Sequence, residues 1–93
     1  MSFDSGDFVV YYQNDIPIHA LVVQKWTSFN YNKYTPDAYI ISPVEGIFKY
    51  IRIKGDDLKL VKLNTDQKLM ILTSLGKNWF CNNRKLFKKA LQK

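Results

Sequence analysis

At Asn64 the spacing of apolar residues changes its period, and that change constrains the fold more than any other feature of the chain. Before it, apolar and polar side chains alternate. In the run 47–53, Ile47, Lys49, Ile51 and Ile53 share one face, and Phe48, Tyr50 and Arg52 the other. After it, Leu69, Met70, Leu72 and Leu75 recur at helical spacing. Strands come first and helices follow, which is the pattern of an α+β protein. With 93 residues the expectation is one domain, a β region over 6–63 followed by a basic helical tail over 65–93 packed on it.

Within the β region the punctuation is clear. Residues 7–13 are β-branched and aromatic and read as a strand. Asn14-Asp15-Ile16-Pro17 reads as a four-residue turn, and residues 18–26 as the returning strand. Residues 27–37 mix three rings with turn formers and make the longest loop. Short strands are expected at 38–42, 47–53 and 58–63, the last two joined as a hairpin through Lys54-Gly55-Asp56-Asp57. Alternation predicts a core of Val10, Ala20, Val22, Ile41, Ile51 and Leu60.

In the tail, Asn64 or Thr65 is placed to cap a helix over 66–75, with Asp66 in its first turn and Gly76 at its end. Asn82 or Asn83 is placed to cap a second helix over 83–92. On that helix Leu86, Phe87, Ala90 and Leu91 form an apolar stripe opposite Arg84, Lys85, Lys88, Lys89 and Lys93.

Five short strands with glycines and prolines at the corners suggest a small antiparallel barrel or a strongly bent sheet. The runs Gly6-Asp7-Phe8-Val9-Val10, Ala20-Leu21-Val22-Val23 and Gly46-Ile47-Phe48 resemble the SH3-like small β-barrels of the Tudor and KOW kind. The resemblance spans residues 6–63. It implies a closed five-stranded barrel and a binding module in place of an enzyme.

Charge separates the two regions. Residues 67–93 hold seven basic side chains and no acidic one, whereas residues 1–66 hold seven basic and eight acidic. The net charge of +6 is therefore a body of −1 with a tail of +7. Such a tail fits an anionic partner: nucleic acid, an acidic protein or a membrane surface. No apolar run approaches the roughly 20 residues that cross a bilayer, so membrane insertion is not expected. The first residues are polar and acidic and do not read as a secretory signal. A single cysteine, Cys81, excludes an internal disulfide and a thiolate metal cluster, and a cytoplasmic setting is expected.

The leading site is the basic helix. Several mobile cations on one side are what phosphate contacts require. Arg84, Lys85, Lys88, Lys89 and Lys93, with Lys77 and Asn82 before them, are the expected nucleic-acid contacts. The plain alternative is a solvated outer face, but such faces usually mix both signs. Trp26, Phe29, Tyr31 and Tyr34, with Tyr39 beside them, are a candidate aromatic surface for a base or peptide; the alternative is that these rings fill a short core. His19 has no second histidine and no recognisable nucleophile motif to work with, and reads as a strand-face residue. Cys81, beside Trp79 and Phe80, reads as a packing residue, and Asp56 and Asp57 as a turn without metal-ligand companions.

No catalytic residue, metal or cofactor is expected. The function expected is that of a small basic binding protein, with duplex DNA the favoured ligand. A regulator or inhibitor docking on an acidic protein surface is the rival, and a virion component the third reading. Abundant Lys, Asn, Ile, Tyr and Phe with only three Ala is the bias of AT-rich genomes, and points to a phage or viral accessory protein acting in the host cytoplasm.

Overall fold

The computed structural model describes residues 3–26, 38–46 and 49–93. Five strands form one antiparallel sheet: β1 (Phe8–Gln13), β2 (Ile16–Trp26), β3 (Ala38–Pro43), β4 (Ile51–Lys54) and β5 (Lys59–Leu60). Their spatial order is β4-β3-β2-β1-β5. Three helices follow: α1 (Thr65–Ser74), α2 (Lys77–Asn82) and α3 (Arg84–Gln92). The α+β class read from the change of period is the class observed.

The sheet is not closed. Among the described residues β4 and β5 are its two edges and do not pair with each other. The turn expected to make them a hairpin is a 3-10 turn, Gly55–Asp57, that carries the chain from one edge of the sheet to the other. Leu58 then drops into the core and β5 joins β1, with Val9 opposite Leu60 and Val10 opposite Lys59.

The first hairpin is tighter than its sequence suggests. Asn14 and Asp15 both take positive φ, at 51° and 65°. Two central residues of that kind make a type I′ turn, whose twist matches that of paired strands. Gln13 therefore pairs with Ile16, and the loop is two residues long in place of four. Pro17 lies inside β2, opposite Tyr12 and before the stretch that pairs with β3, where a missing N–H breaks no bond to β3.

That register also corrects the core. A two-residue turn pairs even positions with odd ones, so Val9, and not Val10, shares a face with Ala20. Ala20, Val22 and Ile41 are buried as expected, but Val10 and Ile51 are only half-buried and Leu60 is 56% exposed. Leu60 fails because β5 is a two-residue strand at the edge of the sheet, with no further strand among the described residues beside it.

Both faces of the sheet are covered. One packs Val9, Tyr11, Ile18, Ala20, Val22, Tyr39, Ile41 and Leu58 with Phe3. Tyr39 belongs to this core and not to an exposed aromatic surface: its ring meets Phe3 edge-on and its hydroxyl accepts the Phe3 N–H at 3.0 Å. Burial, and second the charge of Glu45, push the Tyr11 phenol above its ordinary value. A bulge at Val23, between the Val22–Ile41 and Gln24–Ile40 pairs, bends β2 midway along this face.

The opposite face presents Phe8 and Leu21 to Leu72, Trp79 and Ala90 of the three helices. Trp79 Nε1 donates to the buried Ser42 Oγ at 2.8 Å and ties α2 to β3. The sequence pattern does not show α2 and leaves Trp79 and Phe80 between two helices. Six residues are too few to show an amphipathic period. Asn64 caps α1 in a full capping box with Gln67. Leu75 is the C-cap of α1, and Gly76 after it, at φ 94° and ψ 166°, takes a conformation open to glycine and starts α2.

Candidate nucleic-acid interface

α3 is held to the body by its apolar side. Ala90 is fully buried, and Leu86, Phe87 and Leu91 pack on the cluster around it. The N-terminal segment crosses close over the same helix. Gly6, at φ 90°, lies where an added Cβ would sit 3.5 Å from the Ala90 backbone nitrogen. Its N–H donates to Val22 O at 2.8 Å, and Val22 N–H donates to Asp7 O at 2.9 Å. This crossing decides the fate of the cations nearest to it. Lys89 Nζ donates to Ser5 Oγ at 2.8 Å, and Lys93 Nζ pairs with Asp7 Oδ1 at 2.7 Å.

The remaining cations of the helix face outward. Arg84, Lys85 and Lys88 are exposed. Arg84 and Lys88 are one turn apart, about 6 Å along the axis and roughly 40° around it, and Lys85 stands roughly 60° further round on the same side. Among the described residues the ion pairs are Lys93 with Asp7 and Lys25 with Asp4, so none of these three is neutralised. The Arg84 guanidinium lies 5.9 Å from the centre of the Phe80 ring, and Phe80 meets Phe87 edge-on at 4.8 Å. That contact supports Arg84 without removing its charge.

The other expected contacts divide. Lys77, the first residue of α2, and Asn82, its last, are exposed. Asn83, which the sequence offers as a cap, does stand at the N-cap of α3, but its side chain makes no capping bond: its amide donates to Trp79 O and to the Tyr50 hydroxyl, each at 2.9 Å.

The second candidate surface is described only at its base. Trp26 ends β2 and is 41% exposed, with the Arg52 guanidinium 5.9 Å from its ring centre. Phe29, Tyr31 and Tyr34 lie outside the described residues. Cys81 is exposed on α2, so it is not the packing residue its neighbours suggested. His19 is half-buried on β2 opposite Val10, and its Nδ1 has no hydrogen-bond partner among the described residues.

Ser5 and Asp7 were missed as partners of the tail. They contact residues 84 and 86 positions away, and no local period reports such a contact. No described helix is long and apolar enough to cross a membrane. Compared with known proteins, the chain matches no family model, no curated protein and no solved structure.

Proposed function

We propose that this chain is a non-enzymatic binding protein that holds nucleic acid, duplex DNA above all, on the outward face of α3. The observation that carries the reading is the row Arg84, Lys85 and Lys88: exposed, on one side of a docked helix, with no carboxylate among the described residues paired to it. Cations arranged in this way displace condensed counterions from phosphates. Specificity is modest, because Asn83 is used by the fold and few groups remain for base edges.

The β region supports the same reading as a scaffold. Its sheet is one pairing, β4 with β5, short of the closed SH3-like ring that the sequence resembles, and such small barrels serve as binding modules. The composition supports a phage or viral accessory protein working in the host cytoplasm.

Docking on an acidic protein is the second reading, and two exposed apolar side chains favour it. Phe80 is 38% exposed beside Arg84, and Met70 is 72% exposed on α1. An aromatic ring beside an arginine is a common anchor of protein interfaces. A fluorescence-anisotropy titration of a mixed-sequence duplex at low salt separates the two. Saturable binding by the wild type, lost when Arg84, Lys85 and Lys88 are all replaced by Gln, supports nucleic acid. A wild type that leaves the duplex free even at low salt removes that function and leaves the protein-docking reading.

A further inference from the structure

The bulge at Val23 decides which way the end of β2 faces. Strict alternation would put Gln24 and Trp26 on the face of Val22, toward the core. The extra residue reverses them. Beyond it Gln24 pairs with Ile40 and Ile40 with Arg52, then Trp26 with Ala38 and Ala38 with Lys54. Tyr39 and Ile41, the neighbours of Ile40 in β3, belong to the core on the other side. Gln24, Trp26, Arg52 and Lys54 therefore share the face on which the helices pack, and all four are exposed there. The Arg52 guanidinium, 5.9 Å from the centre of the Trp26 ring, joins the two rows.

Tyr50 extends this strip toward the helices. It is 43% exposed, and its hydroxyl accepts from the Asn83 amide at 2.9 Å. Two exposed rings, Trp26 and Tyr50, thus flank a strip that carries two cations. Neither Arg52 nor Lys54 belongs to an ion pair among the described residues. The turn that follows leaves this face. Gly55 lies against the Tyr39 ring, where an added Cβ would sit 3.0 Å from Cε2, so Asp56 and Asp57 start from the core side of the sheet.

We infer that this strip binds single-stranded nucleic acid, with bases stacked on Trp26 and Tyr50 and phosphates held by Arg52 and Lys54. Every base has a π-face, so rings set beside cations hold an unpaired strand without reading its sequence. A duplex keeps its bases in its own stack and offers the rings none. The carboxylates of an acidic peptide would match the cations and leave the rings unused. The strip shares no residue with the cation row of α3, so the two readings stand or fall separately.

The test uses the full chain at low salt with an oligothymidylate, an abasic strand of the same length, an acidic peptide and a blunt duplex. Of the two tryptophans Trp79 is buried, so a change in emission reports Trp26. Saturable quenching by the oligothymidylate is expected, and not by the abasic strand or the peptide. In anisotropy with a labelled oligothymidylate, Trp26→Ala weakens binding by about fivefold or more, and Trp26→Phe retains most of it. Arg52→Gln with Lys54→Gln flattens the salt dependence by about 1.4 in log–log slope, since a single strand contributes roughly 0.7 per phosphate. Neither change alters affinity for the blunt duplex, whose loss would strike the α3 reading alone. Equal affinity for the abasic strand, equal quenching by the acidic peptide, or an oligothymidylate affinity untouched by Trp26→Ala and by the Arg52 and Lys54 pair overturns the inference.

Discussion

The two sides of α3 carry the same kind of side chain and put it to different uses. Lys89 and Lys93 lie where the N-terminal segment crosses the helix, and each has a partner there in Ser5 or Asp7. Arg84, Lys85 and Lys88 are exposed and have no carboxylate partner among the described residues. A lysine held by the crossing segment contributes to docking the helix. One without a partner is available to an anion. The five cations of residues 84–93 are therefore not one surface but two, and only position on the helix tells them apart.

The largest expected effect tests whether the helix layer is docked as described. Trp79→Ala removes a fully buried ring and its bond to Ser42 and should cost about 3–5 kcal/mol in chemical denaturation. A cost below about 1 kcal/mol would mean that the helices do not rest on the sheet, and the distinction between the two sides of α3 would collapse.

Gly6→Ala addresses the crossing segment itself. Its positive φ suits glycine, and alanine there should cost roughly 1–3 kcal/mol through backbone strain, since the added Cβ finds ordinary contact distances at 3.5 Å. A neutral result would place the N-terminal segment elsewhere. Asp7→Asn then probes the tether alone. With both side chains partly exposed, the lost ion pair should cost about 0.2–1 kcal/mol and fade with added salt. A salt-independent loss would indicate a different role for the carboxylate.

The smallest effect belongs to the outward side. Lys85→Gln with Lys88→Gln should leave stability within about 0.5 kcal/mol of the wild type, because neither residue touches the apolar stripe and glutamine is a good helix former. A larger loss in thermal or urea unfolding would show that these cations also serve the fold.

Much of the architecture could be read from pattern. The change of period at Asn64, the capping Asn64 and the apolar stripe of α3 are local signals, and each has its counterpart in the structure. What escaped was set by distant partners. Alternation divides a strand into two faces without saying which is inward; pairing with Ala20 selects Val9 over Val10, and a loop of two or of four residues gives the same parity. Tyr39 looked like a loop aromatic because residues 27–37 precede it, yet its hydroxyl meets Phe3, 36 residues away. In the candidate site, the basic face was legible as a composition. Its division into tethered and outward cations was not, because Ser5 and Asp7 lie at the opposite end of the chain.

The most direct test of that division is the salt dependence of duplex DNA binding. The logarithm of affinity should fall linearly with the logarithm of salt, by roughly 0.9 for each phosphate contacted. Lys85→Gln with Lys88→Gln should flatten the slope by about two. Lys93→Gln, which removes a cation already paired with Asp7, should leave it nearly unchanged. Equal flattening by Lys93→Gln, or a slope that the Lys85 and Lys88 pair does not alter, would contradict the account.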